Sequence, residues 1–149
     1  MRRSLAAILR GGLVAGTVDI AAAAMINRLS PVVILHAIAS GALGKAAFRP
    51  DAWIACLGLL LQWGMSLLIA AIFVATASRL GWMRRRWIAA GLVSGVVVYG
   101  VMNYLVVPLS AAPFKAPATA YAVAANLLAM LVFGLIVAFF ARRSGAGTR

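Results

Sequence analysis

The chain has 149 residues, enough for one domain, but 65% of them are apolar and the mean hydropathy is +1.05, more apolar surface than a soluble fold of this size can hide. Its charges are 14 Lys or Arg and two Asp, with no Glu, gathered in clusters between apolar runs of about twenty residues, which makes lipid the expected solvent. The net charge of +12 is therefore read as a topology signal facing lipid headgroups and not as a nucleic-acid footprint. One cysteine, Cys56, and one histidine, His36, are too few for an internal disulfide or a zinc site, so neither a metal nor a cofactor is expected.

Arg2 and Arg3 precede an apolar stretch ending in Ala21 to Ala24, which imitates a secretory signal. Arg10 and Asp19 interrupt it, so a first membrane helix from about Leu5 to Asn27 is expected, with Arg10 snorkelling toward the headgroups. Ser30 followed by Pro31 is a helix start, a serine cap and a proline whose missing N–H costs nothing in the first turn. The helix so begun reaches about Gly44. At about fourteen residues and 1.5 Å per residue it falls short of about 30 Å of hydrocarbon, which predicts an interfacial or re-entrant helix.

Lys45 to Asp51 is polar enough for the headgroup layer, and Asp51 is placed to cap the next helix. That helix is expected from about Ala52 to Ala77, long enough to tilt. Arg79, Arg84, Arg85 and Arg86 follow, with Trp82 and Trp87 among them at interface level. A third helix is expected from about Ile88 to Val107, stopped by Pro108, with Pro113 and Pro117 stiffening the connection beyond. The last runs from about Thr119 to Ala141, before Arg142, Arg143 and a Gly/Ser tail.

Counting Lys and Arg sets the orientation. One side carries Arg2, Arg3, Arg10, Arg79, Arg84, Arg85, Arg86, Arg142, Arg143 and Arg149; the other carries Arg28, Lys45, Arg49 and Lys115. Ten against four places both termini in the cytoplasm, with Arg84, Arg85 and Arg86 as topology anchors. The fold expected is thus an all-α membrane protein, a single domain over 1–149 with four transmembrane helices and one short interfacial or re-entrant helix after the first.

Each long helix also carries a stripe of small and polar residues at i+4 spacing. These are Gly12, Gly16, Asp19 and Ala23; Gly58, Gln62, Ser66 and Ala70; Gly91, Gly95, Tyr99 and Asn103; and Asn126, Met130, Gly134 and Ala138. Helices in lipid associate through close backbone approach and hydrogen bonds, so these stripes are expected to face inward in a four-helix bundle. Gln62, Asn103 and Asn126 need partners that hydrocarbon does not offer. The run Gly12-Leu13-Val14-Ala15-Gly16 is echoed by Gly91-Leu92-Val93-Ser94-Gly95, which either two related helix hairpins or a biased composition would produce.

Asp19, near the middle of the first helix, is the leading candidate for a functional residue, since an aspartate there costs about 2.5 to 3.5 kcal/mol on insertion scales. It is either a proton-exchanging or cation-binding group, or a structural hydrogen-bonding residue tied to Asn103, Gln62 or Tyr99. His36 and Ser40 share a face of the short helix; a pH-sensitive role competes there with a plain polar face at the interface. A hydrolase built on His36 and Ser40 lacks a third, orienting group. Gly11-Gly12 and Gly41 to Gly44 lack the strand and the Gly-Lys-Ser/Thr ending of a phosphate loop. The intramembrane polar set is therefore Asp19, His36, Ser40, Gln62 and Asn103, and no catalytic residue is expected.

Three stretches, Gly12 to Ile20, Ile38 to Phe48 and Met102 to Ser110, resemble a family of small bacterial four-helix inner-membrane proteins of unknown function. The resemblance covers most of the chain from about Gly11 to Ser110 and implies a multi-pass protein of the bacterial inner membrane with no assigned activity. It centres on Asp19, the Ser40-Gly41 region and Asn103. The expected role is a noncatalytic structural or accessory membrane protein, with the lipid bilayer, a second copy or another membrane protein as partner and no nucleic acid. The alternative is a small proton-coupled transporter using Asp19, acting as an oligomer. Small multidrug-resistance exporters share four helices and one acidic residue in the first, an analogy of architecture only, since this chain has Asp where they have Glu and is longer.

Overall fold

A computed structural model describes residues 2–113 and 119–144. They are helical throughout, with no strand among them: α1 (Arg2–Asn27), α2 (Pro31–Leu43), a 3₁₀ turn (Gly44–Phe48), α3 (Ala52–Arg79), α4 (Gly81–Arg85), α5 (Trp87–Val101), a π-helical turn (Met102–Val106), α6 (Val107–Leu109) and α7 (Ala120–Ser144). Lys115, Pro117 and Arg149 lie outside the described residues.

The helix boundaries follow local chemistry. Ser30 Oγ accepts from Val33 N at 3.4 Å with Pro31 in the first turn of α2, Asp51 Oδ1 accepts from Trp53 N at 3.0 Å, and Thr119 Oγ1 accepts from Ala122 N at 3.2 Å. Each satisfies an N–H that the first turn leaves without a helical partner. α1 ends with Arg28 in the left-handed region at φ 54 and Leu29 N donating to Ala24 O at 3.0 Å, a close in which glycine is the usual residue.

Two helical segments run on past their expected ends. The α-helix after Pro31 closes at Gly44, φ 58, as expected, but the helical segment does not stop there: a separate 3₁₀ turn follows to Phe48. Taken together these 18 residues are long and apolar enough to cross a membrane, so five helical segments meet that criterion of length and composition among the described residues, where four crossings are expected. The third helix does not stop before Pro108 either. Pro108 has no N–H and its ring would strike the carbonyl of residue 104, so the helix widens first, with Val107 N donating to Met102 O, and resumes to Leu109. The remaining differences are at the ends, where α1 starts at Arg2, α3 reaches Arg79 and α7 runs to Ser144.

The small-residue stripes meet in pairs. On α1 and α3, a Cβ at Gly12 would stand 3.0 Å from Leu67 Cα and one at Gly16 3.0 Å from Ser66 Cβ, while Gln62 bonds Asp19. Rising numbers on one helix against falling numbers on the other make the pair antiparallel. On α5 and α7, Gly91 lies against Gly134 and Ala138, and Gly95 against Met130 and Leu131, again antiparallel. The two echoing Gly-x-x-x-Gly runs thus do the same thing, each holding its helix against the next long one. α1 also packs on α7, where Gly11 meets Phe140, so the order across the bundle is α5, α7, α1, α3, α2.

The main core confirms which ends lie together: Ala7 of α1, Ala77 of α3, Ala90 of α5 and Ala141 of α7 belong to one cluster. α2 keeps to the opposite end. The carbonyl of Leu35 occupies the space beside Gly58, and Ala39 packs with Ala47 of the 3₁₀ turn and with Ile54; Ile54 and Gly58 are both in the first third of α3. Ala111 N donates to Gly41 O at 3.0 Å, tying the end of the α5 to α6 path onto α2 at that same end.

The distribution of side chains is the reverse of a soluble domain. Alanines dominate the buried set, whereas Leu60, Leu68, Ile72, Val93, Val97 and Leu128 are each more than half exposed. Helices this long and apolar, joined through Ala and Gly and bare of cover on their Leu, Ile and Val faces, make this a membrane protein.

Candidate functional site

Midway along the bundle the structure brings together three of the five residues singled out in the sequence. Asp19 from α1, Gln62 from α3 and Asn103 from the π-helical turn line one cavity of about 60 Å³, together with Met65, Ser66, Ile69, Val98, Met102, Met130 and Phe133. Gln62 Nε2 donates to Asp19 Oδ2 at 2.8 Å. One helical turn away Trp63 Nε1 donates to Thr17 Oγ1 at 3.2 Å, and Ser66, 1% exposed, donates its Oγ proton to the Gln62 carbonyl at 2.8 Å. A Cβ at Gly16 would meet Ser66 Oγ at 2.5 Å, so glycine there is what lets α1 approach closely enough for the Asp19–Gln62 bond.

Asn103 and Asn126 solve their partner problem locally. Asn103 Nδ2 donates to Tyr99 O at 3.0 Å and Asn126 Nδ2 to Ala122 O at 2.7 Å, each on its own helix four residues back. Tyr99 thus contributes a backbone carbonyl, bonded by Asn103. The π turn gives Asn103 a wider backbone than an α-helix offers, and such turns recur where a side chain must be re-aimed.

His36 and Ser40 are not part of this cavity. They share a face of α2, but Ser40 is fully buried and its Oγ donates to Ala37 O at 2.6 Å. His36 Nε2 is buried without a hydrogen-bond partner among the described residues. No geometry for nucleophilic attack results, because the hydroxyl proton is committed to the backbone and the imidazole does not reach it. Arg84, Arg85 and Arg86 stand exposed at the α4 to α5 junction, at the end of the bundle shared by Ala7 and Ala141.

Two features were not foreseen. Between α3 and α5 runs an apolar groove of about 400 Å³, lined among others by Ile72, Phe73, Trp82, Val93 and Val97; Met65, Ile69, Val98 and Met102 line both this groove and the Asp19 cavity. Its signal in the sequence was faint: Ser94 and Thr76 are small and weakly polar, and nothing in either helix alone shows that α3 and α5 stand apart. The second is a cleft of about 270 Å³ between the start of α1 and the end of α7, bordered by Arg3, Ala6, Ala7, Arg10, Phe140 and Arg143. Nearby, Arg142 lies 4.6 Å from the Trp87 ring centroid and Arg143 4.4 Å from that of Phe139, cation–π contacts that hold both guanidinium groups.

No group of three or more His, Cys, Asp or Glu among the described residues is arranged to hold a metal ion. Comparison with family models, with curated proteins and with solved structures finds no match.

Proposed function

We propose that the protein is a noncatalytic structural or accessory component of a bacterial inner membrane, crossing the bilayer four times with both termini in the cytoplasm. The observation that carries this reading is the Asp19–Gln62 bond, which spends the one intramembrane carboxylate on joining α1 to α3 within a cavity of about 60 Å³, room for about two waters and for no larger substrate. The antiparallel pairing of α1 with α3 supports four crossings. The end of α1 and the start of α3 then lie on one side, so α2 returns to the side it left, as an interfacial or re-entrant segment, although its length with the 3₁₀ turn would permit a crossing. The arginine count supports the orientation, since Arg2, Arg3, Arg10, Arg79, Arg84, Arg85, Arg86, Arg142 and Arg143 collect at the end where α1 begins and α7 finishes.

A second reading, a small proton-coupled transporter working as an oligomer, draws on the groove between α3 and α5 that backs onto the Asp19 cavity through Met65, Ile69, Val98 and Met102. A lipophilic organic cation in the groove would need only those side chains to move in order to reach the carboxylate. Asp19→Asn separates the two readings. The amide oxygen still accepts from Gln62, so membrane yield and melting behaviour stay as in the parent under both. In proteoliposomes carrying an internal pH dye, the structural reading predicts no cation-dependent proton flux from either protein. Flux from the parent that Asp19→Asn abolishes would overturn it in favour of transport.

A further inference from the structure

We propose that the cleft between α1 and α7 binds the phosphate group of an anionic phospholipid, with Arg3, Arg10 and Arg143 as its ligands. Arg3 and Arg10 are seven residues apart, two turns along one face of α1, and Ala6 and Ala7 between them leave the space that larger side chains would fill. Arg143 enters from α7, one turn beyond Phe140, which forms part of the wall. The two helices are held close immediately below, where a Cβ at Gly11 would stand 3.2 Å from Phe140 Cβ. Arg3, Arg10 and Arg143 therefore border one opening of about 270 Å³.

No carboxylate of the described chain answers them. Asp51 caps α3 at the opposite end of the bundle, and Asp19, bonded to Gln62, lies nine residues deeper along α1 than Arg10, about 13 Å at the helical rise. An anion from outside is what the arrangement lacks. Phosphate suits it better than a halide or a lone carboxylate, because planar guanidinium forks engage phosphate oxygens two at a time. The stacking of Arg143 on Phe139 at 4.4 Å fixes one of the three before any ligand arrives, which reduces the ordering cost of binding.

The surroundings favour a lipid over a dissolved phosphate. The cleft sits in the first turns of α1 and the last turn of α7, where long apolar helices leave the hydrocarbon and meet the headgroups. Leu9 and Leu13 of α1 are exposed beside and below it, an apolar surface along which acyl chains can lie. This inference does not depend on what Asp19 does.

The test uses the full-length protein in neutral detergent micelles, with native mass spectrometry reading the bound fraction as phosphatidylglycerol or phosphatidylcholine is titrated. A triple variant, Arg3→Gln with Arg10→Gln and Arg143→Gln, is compared with an equal-charge control, Arg84→Gln with Arg85→Gln and Arg86→Gln. The cleft variant is expected to lose phosphatidylglycerol affinity by about tenfold more than the control, the size of one bidentate charge-assisted contact. Inorganic phosphate at millimolar concentration is expected to leave the lipid bound; if it displaces the lipid and protects equally against thermal unfolding, the phosphate source is a soluble compound. Equal losses in the two triples would show diffuse attraction and overturn the proposal, as would unchanged affinity in the cleft variant. Should the triple fail to fold, Arg10→Lys serves instead: it keeps the charge and loses the fork, so the proposal requires a drop in affinity with salt dependence retained.

Discussion

Replacing Gly134 by alanine puts a methyl group where α5 already stands. Its Cβ would lie 2.8 Å from Gly95 N and 3.1 Å from Gly95 Cα, with the Gly91 carbonyl closer still. Ordinary carbon contacts need about 3.5 to 4.0 Å, so α5 and α7 must part by about 1 Å. A gap of that size forfeits a quarter to a half of each contact of about 0.1 to 0.2 kcal/mol, and over about thirty atom pairs along the crossing the loss is about 2 kcal/mol. Alanine recovers up to about 1 kcal/mol through its better helix propensity, leaving a net destabilisation of about 1 to 2 kcal/mol, in keeping with overpacked cores. Gly100 on α5 and Gly64 on α3 are internal controls, because a Cβ at either meets nothing within 4 Å; Gly100→Ala and Gly64→Ala should be neutral or stabilising by up to about 1 kcal/mol. Unfolding in mixed micelles titrated with dodecyl sulfate, followed by tryptophan fluorescence and far-ultraviolet circular dichroism, measures all three. A Gly134→Ala midpoint equal to the parent's, or a Gly100→Ala midpoint lowered as far as that of Gly134→Ala, would refute the close-approach account of this interface.

Other outcomes follow from single contacts. Gln62→Leu strands the Asp19 carboxyl against apolar neighbours and should destabilise by about 1 to 3 kcal/mol, while adding Asp19→Leu should restore most of the loss, because removing both partners of a buried bond is nearly neutral; the same titration run as a double-mutant cycle checks this. His36→Leu removes a buried nitrogen that has no partner among the described residues, so its thermal midpoint should equal or exceed the parent's. Arg28→Gly relieves a left-handed backbone at φ 54 and should raise stability by up to about 1 kcal/mol in the same assay, the usual penalty for a side chain there being about 1 to 2 kcal/mol.

How far the sequence carries depends on the range of the physics involved. The i+4 stripes were legible because they are properties of single helices, and lipid rewards one arrangement of them, small faces inward. Asp19 and Gln62 were both suspects on the cost of burying polar groups, and the structure pairs them. Asn103 and Asn126 illustrate the limit: the need for a hydrogen bond was plain, but a carbonyl four residues back satisfies it as well as another helix does. The 3₁₀ extension from Gly44 to Phe48 was hidden because Lys45 and Arg49 make the segment look like headgroup-level loop. The cleft of Arg3, Arg10 and Arg143 was invisible for a different reason, since Arg143 lies more than 130 residues from the other two in the chain and only the packing of α1 on α7 joins them.

The account rests on α2 returning to the side it left, which keeps the two termini together. Protease protection of epitope tags at both ends, combined with labelling of Lys45→Cys in a Cys56→Ser background by a membrane-impermeant maleimide, tests this in spheroplasts. Both tags should be protected while Lys45→Cys reacts from outside. Digestion of one tag but not the other would mean an odd number of crossings and contradict the account, as would a maleimide that reaches Lys45→Cys only from the face that carries the tags.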